Sequence, residues 1–76
     1  MVKICKINFM WDDEVDVWIA TSDDVPGLVL EDGSLDRLIF RTRLAAPELL
    51  ELNCDYLGDI DFDFRMSRIE RLTVSG

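Results

Sequence analysis

The sequence predicts an α+β domain: a β-β-β-α-β chain, with a short fifth strand after it, folded as an antiparallel sheet with one helix packed on one face. Three observations predict it. Residues 3–11 and 15–21 alternate apolar and polar side chains on either side of an acidic turn, the period-two signature of a half-buried hairpin. From Leu35 onward apolar side chains recur at three- and four-residue steps, the period of a helix with one buried stripe. After Leu57-Gly58 the period returns to two, with Ile60, Phe62, Phe64 and Met66 alternating with Asp59, Asp61, Asp63 and Arg65.

Taken in order, the first strand spans residues 3–11 and points Cys5, Ile7, Phe9 and Trp11 to one face, leaving Ile4, Lys6, Asn8 and Met10 on the other. Residues 15–21 form the second strand, in which Val15, Val17 and Ile19 continue the core row and Trp18 and Ala20 lie opposite. Asp23-Asp24-Val25-Pro26-Gly27 is a bend: proline fixes φ, and glycine takes the positive φ that side chains resist. Leu28–Glu31 is a short third strand, and Asp32-Gly33 turns into the helix.

Ser34 is the expected N-cap, and Asp36 adds a negative charge where the helix dipole favours it. The predicted stripe is Leu38, Ile39, Thr42, Ala45, Ala46, Leu49, Leu50 and Leu52, with Arg37, Arg41 and Arg43 off it. Pro47 removes a backbone donor and crowds the preceding turn, so a kink or break is expected near Ala46, and Asn53 is the expected stop. In the tail the phase slips between Met66 and Ile69, which places a bend near Ser67-Arg68 before a last short strand suited to packing on a second copy of the chain.

A chain of 76 residues makes one small domain, residues 1–76, and buries only about 60–65% of its unfolded surface. Small domains gain stability from disulfides, metals or association. Here there is no histidine, and Cys5 and Cys54 lie at no metal-ligand spacing, so reduced buried thiols in a cytoplasmic protein are expected, along with a homo-oligomer and no cofactor. No apolar run approaches the roughly 18–20 residues of a membrane span. Sixteen acids against eight lysines and arginines give a net charge of −8, which argues against direct nucleic-acid binding, since phosphates require clustered cations. The imbalance is concentrated: residues 1–36 hold two basic and nine acidic side chains. Such a lobe attracts cationic partners and speeds their encounter.

Two constellations bear on catalysis. Asp59, Asp61, Asp63 and Glu70 match the acid spacing of a calcium loop, but its sixth position, which needs glycine, is Phe64. A metal-dependent nuclease would instead combine Asp12, Asp13 and Glu14 with the Asp59, Asp61, Asp63 row around magnesium. It would lack both a histidine and the cations to hold its substrate. Cys5 falls on the expected core face and Cys54 at a helix end, where the dipole disfavours a thiolate, with no catalytic base partner for either, and Gly27 and Gly33 stand alone in turns, so no nucleophile or phosphate loop is indicated.

The motif W-D-D-E-V-D-V-W-I-A-T-S-D-D-V-P-G-L-V, the L-D-R-L of the helix start and A-P-E-L-L-E-L-N near its end resemble the HicB-like antitoxin group, in particular a stand-alone domain of unknown function assigned to it, over residues 4–53. The resemblance implies a non-catalytic protein-binding module of a type II toxin-antitoxin system, which occludes a small basic ribonuclease toxin. Members of that group commonly carry a second, DNA-binding domain. This chain ends before one could begin, so no direct operator binding is expected. On this reading Asp12, Asp13, Glu14, Asp23 and Asp24 are the expected partner-binding residues, standing in for RNA phosphates opposite the partner's lysines and arginines. A purely self-associating structural domain is the remaining alternative.

Overall fold

A computed structural model describes residues 1–75. Five elements follow one another: β1 (Val2–Asp12), β2 (Val17–Thr21), β3 (Val29–Asp32), α1 (Leu35–Cys54) and β4 (Asp59–Ser67). The β-β-β-α-β order and the single covering helix are those the periodicities predict. The sheet order is β3-β2-β1-β4. β1–β2 and β2–β3 are antiparallel, but β4 runs parallel to β1, from Val2 beside Asp59 to Met10 beside Ser67, so the sheet is mixed rather than wholly antiparallel. The reason is topological. α1 carries the chain back along the sheet, so the next strand runs in the direction of β1 and β3, and the place left beside β1 is a parallel one.

The helix side of β1 is the predicted one. Cys5, Ile7 and Phe9 are fully buried against Ala20, Val25, Leu28, Leu38, Ala46 and Leu50. β2 is turned over relative to expectation. Phe9 faces Ala20 and Trp11 faces Trp18, and directly opposed residues share a face. Ala20 and Trp18 therefore join the core row, while Val17 and Ile19 lie on the open face. Asp13–Asp16 take the turn between the strands, with Asp16 at φ 55°, so Val15 is a turn residue and not part of β2. Trp18 packs edge-on to Trp11 at 5.5 Å between ring centres, an internal contact.

The Pro26-Gly27 bend takes the predicted form. Leu28 N–H donates to the Val25 carbonyl at 3.1 Å across it, and Gly27 sits at φ 86°. Asn53 Nδ2 then donates to the Pro26 carbonyl at 3.0 Å, pinning this loop to the end of α1. Ser34 caps the helix, its hydroxyl accepting from the Arg37 amide at 3.2 Å. At the other end Asp55 adopts the left-handed conformation (φ 52°) and Tyr56 N–H closes on the Leu50 carbonyl at 3.1 Å, so the helix passes Asn53 and ends at Cys54. It also runs through Pro47 without the break expected near Ala46. Pro47 lies on the exposed side, while Ala46 and Leu50 are both buried in the core. Leu38, Thr42, Ala46 and Leu50 form the buried line, and Leu52, placed on the stripe by its spacing, is exposed.

Asp32 organises the start of α1. It accepts from the Ser34 amide at 2.9 Å and meets Arg41 at 3.4 Å and Arg37 at 3.8 Å. The Ser34 amide is the largest cause holding its carboxyl below the ordinary aspartate range; partial burial opposes this, and Arg37 and Arg41 add to it. A group with a depressed folded-state pKa contributes stability above its unfolded value and loses that contribution as pH falls toward the folded one. Asp32→Asn is therefore expected to melt lower at neutral pH and to show a shallower loss of melting temperature on acidification. Parallel melting profiles for the two proteins across that range would contradict this account.

Cys5 and Cys54 are both free, as expected, but only Cys5 is buried; Cys54 is exposed at the end of α1. Burial pushes the Cys5 thiol up, which suits an inert packing residue. Residues 68–75 carry no strand, so the fifth strand is not formed within one chain.

Candidate partner-binding surface

The helix covers one face of the sheet and leaves the other bare. On that open face lie Val2, Ile4, Lys6, Asn8 and Met10 of β1, Val17, Ile19 and Thr21 of β2, Val29 and Glu31 of β3, and the aspartates of β4. Ile4 is 69% exposed, Met10 57% and Val29 71%. Isolated exposed apolar side chains are ordinary, but several on one sheet face, bordered by acids, have the character of an interaction surface.

The expected contact acids fall into two separate groups. Asp12, Asp13 and Glu14 sit at the β1–β2 hairpin, where with Met10, Trp11, Ile19 and Thr21 they line an open groove of about 390 Å³. The Asp12 carboxylate accepts from the Glu14 amide at 3.0 Å, which fixes the turn, while Asp13 and Glu14 are exposed. Asp23 and Asp24 lie at the opposite end of β2. Asp24 Oδ2 accepts from the Lys6 amide at 2.7 Å, and the Ser22 hydroxyl donates to the Lys6 carbonyl at 2.6 Å. These two side chains take over the edge of β1 where β2 has ended, since the β1–β2 ladder stops at Asn8 beside Thr21. Asp24 thus has a structural task. Lys6 and Asp12 are six residues apart on β1, so about 20 Å separates the two acidic groups, and a single small contact cannot use both.

The acids weighed as magnesium ligands do not converge. Asp59, Asp61 and Asp63 lie along β4 beside Val2, Ile4 and Lys6, whereas Asp12 to Glu14 sit at the far end of β1. Asp63 is held by Arg65 in a two-pronged pair at 2.9 and 3.0 Å, and this guanidinium lowers its pKa. Among the described residues no three His, Cys, Asp or Glu side chains come together as a metal site. The same row along a strand, about 7 Å from one aspartate to the next, is not a calcium loop.

The alternating pattern places Val17 and Ile19 in the core and offers Trp18 as either a sheet anchor or an exposed partner contact; the structure gives Trp18 to the core side and leaves Ile19 on the open face. Ile4 and Met10 were readable as the outward side of β1, but their neighbours on β2 were not, because the turn decides which side of β2 faces out.

This architecture defines a small open-faced two-layer α+β domain, with a helix on one side of its sheet and a part-apolar, acid-bordered surface on the other. A family model described as a domain of unknown function, DUF1902, matches residues 4–75, and the chain belongs to that family. The fold is similar to the crystal structure of a hypothetical protein, TTHA1013, from the extremely thermophilic bacterium Thermus thermophilus, with 36% identity, a TM-score of 0.71, and coverage of 95% of this chain and 100% of that one. No curated protein matches the chain. Among the described residues no helix is long and apolar enough to cross a membrane.

Proposed function

We propose that this chain is a non-catalytic protein-binding module of the HicB-like antitoxin kind, which covers the RNA-binding surface of a small basic ribonuclease in the cytoplasm. The observation that carries the reading is the bare sheet face, on which Ile4, Met10, Ile19 and Val29 offer apolar contact beside the acidic hairpin Asp12-Asp13-Glu14. Apolar contact would supply affinity, and the acids would supply steering and register against lysines and arginines. Asp23 adds to the field from the far end of the sheet, while Asp24 keeps its backbone partner. Free thiols at Cys5 and Cys54 fit a reducing compartment. The nuclease alternative is weaker because its two carboxylate sets lie at opposite ends of β1.

The test uses the product of the neighbouring reading frame, provided that it is a short basic protein. Co-expression is expected to give a stable complex in which cleavage of a model RNA is suppressed. Replacing Asp12, Asp13 and Glu14 by Asn, Asn and Gln is expected to slow association roughly tenfold and to flatten its salt dependence. A neighbour that is not basic, a mixture that leaves cleavage untouched, or RNA cleavage by this chain with magnesium would each remove the proposal.

A further inference from the structure

Beyond Ser67 the chain leaves its own domain. Residues 68–75 have no strand partner, and Ile69, Leu72 and Val74 are between 80% and 87% exposed. The molecule measures 57 × 20 × 18 Å. Residues 59–75 in extended form span about 56 Å, which matches that long dimension, the length expected of β4 with its tail continuing past the end of the sheet. Arg68 continues the β4 register, lying 4.2 Å from the Trp11 ring centre and 2.7 Å from Glu70. Past that point no other described residue covers the tail. β4 is itself an outer strand, whose far edge offers unpaired backbone donors and acceptors.

We propose that residues 68–75 form a fifth strand along the outer edge of β4 in a second copy of this chain, with the exchange made reciprocally about a two-fold axis near Ser67. The lengths match, eight residues against nine. The charges match as well. Residues 1–67 carry six basic and fifteen acidic side chains, whereas the tail holds Arg68 and Arg71 against Glu70 alone. An antiparallel register centred on Ser67 keeps each residue on its own face and sets Leu72 beside the partner copy's Phe62 and Val74 beside its Ile60, on the helix side where both are half-buried. It sets Arg71 beside Asp63 on the open side. It also brings Glu70 alongside Phe64, over whose ring Arg43 lies at 5.9 Å, so Glu70 meets a guanidinium there. Such an isologous contact joins two four-stranded sheets into one continuous sheet and closes both edges at once. It is independent of the antitoxin reading, because it uses the β4 edge rather than the open face.

The native chain is expected to sediment at twice its 8.8 kDa mass across the micromolar range. Leu72→Asp with Val74→Asp is expected to weaken self-association by about a hundredfold, since each charge would be placed against an apolar neighbour. The far-UV circular dichroism of α1 should persist, because both positions are exposed in the single chain. In a Cys54→Ser background, Asp61→Cys with Thr73→Cys is expected to give a covalent dimer on mild oxidation. A monomeric native chain, a dimer that survives the double aspartate variant, or a cysteine pair that fails to cross-link between chains would each overturn the proposal.

Discussion

Phe9→Ala is expected to lower the urea midpoint of the domain steeply. Phe9 is fully buried on the inner strand β1, packs 5.5 Å from the Phe64 ring centre and opposes Ala20 across the ladder. Its truncation removes the largest fully buried side chain and leaves a void bounded by strands on both sides and the helix above. Neither boundary can collapse without moving the sheet, so the cost should approach the upper part of the 3–5 kcal/mol usual for phenylalanine. Domains of this size hold about 4–11 kcal/mol in total, so this one side chain carries from about two-fifths of the stability to all of it. Phe9→Leu, which keeps much of the volume, should cost about 1.5 kcal/mol and retain a cooperative urea transition. If the alanine variant's urea midpoint lay close to that of the leucine variant, the core would be centred elsewhere.

Pro47→Ala is expected to act in the opposite direction. Pro47 stands inside a 20-residue helix and is exposed, so nothing in the core depends on its ring. Its missing N–H leaves the Arg43 carbonyl without the usual partner one turn on. Alanine restores that donor and gains about 3 kcal/mol of helix propensity; it gives back part of this because the unfolded chain becomes freer. A net gain of about 2 kcal/mol corresponds to a rise in melting temperature of roughly 8–15 °C for a domain this small. Calorimetry on the purified variant reads this directly, and an unchanged or lowered melting temperature would mean that the proline sets a helix geometry the core requires.

Legibility varied with the range over which each feature is decided. The inward row of β1, the Ser34 cap and the Pro26-Gly27 bend follow from spacing or single-residue stereochemistry, and the chain carries them openly. The facing of β2 does not, because it depends on whether Asp13–Asp16 fill the turn with Asp16 left-handed or whether Val15 joins the strand, and both readings give an alternating row. The direction of β4 is equally silent locally: a strand has the same period whether it pairs parallel or antiparallel, and only the crossover through α1 decides. Pro47 is a real local signal that burial on either side of it overrides. At the candidate surface the acids were legible as charges but not as positions. Asp24 was indistinguishable from Asp23 until the early end of β2 gave it the Lys6 amide to bind, and the open-face apolar residues became visible only once β2 was turned over.

The parallel ladder between β1 and β4 joins residues 57 apart in the chain, from Val2 with Asp59 to Met10 with Ser67. Closing so long a loop carries an entropic penalty before any contact forms, whereas the hairpin and the helix assemble from neighbours. The β4 flank of β1 is therefore expected to be the last edge to close, after the local elements have formed. Until it closes, that edge of β1 is a template on which an unfinished neighbour could pair, so crowding during synthesis is expected to cost this molecule more than crowding afterwards.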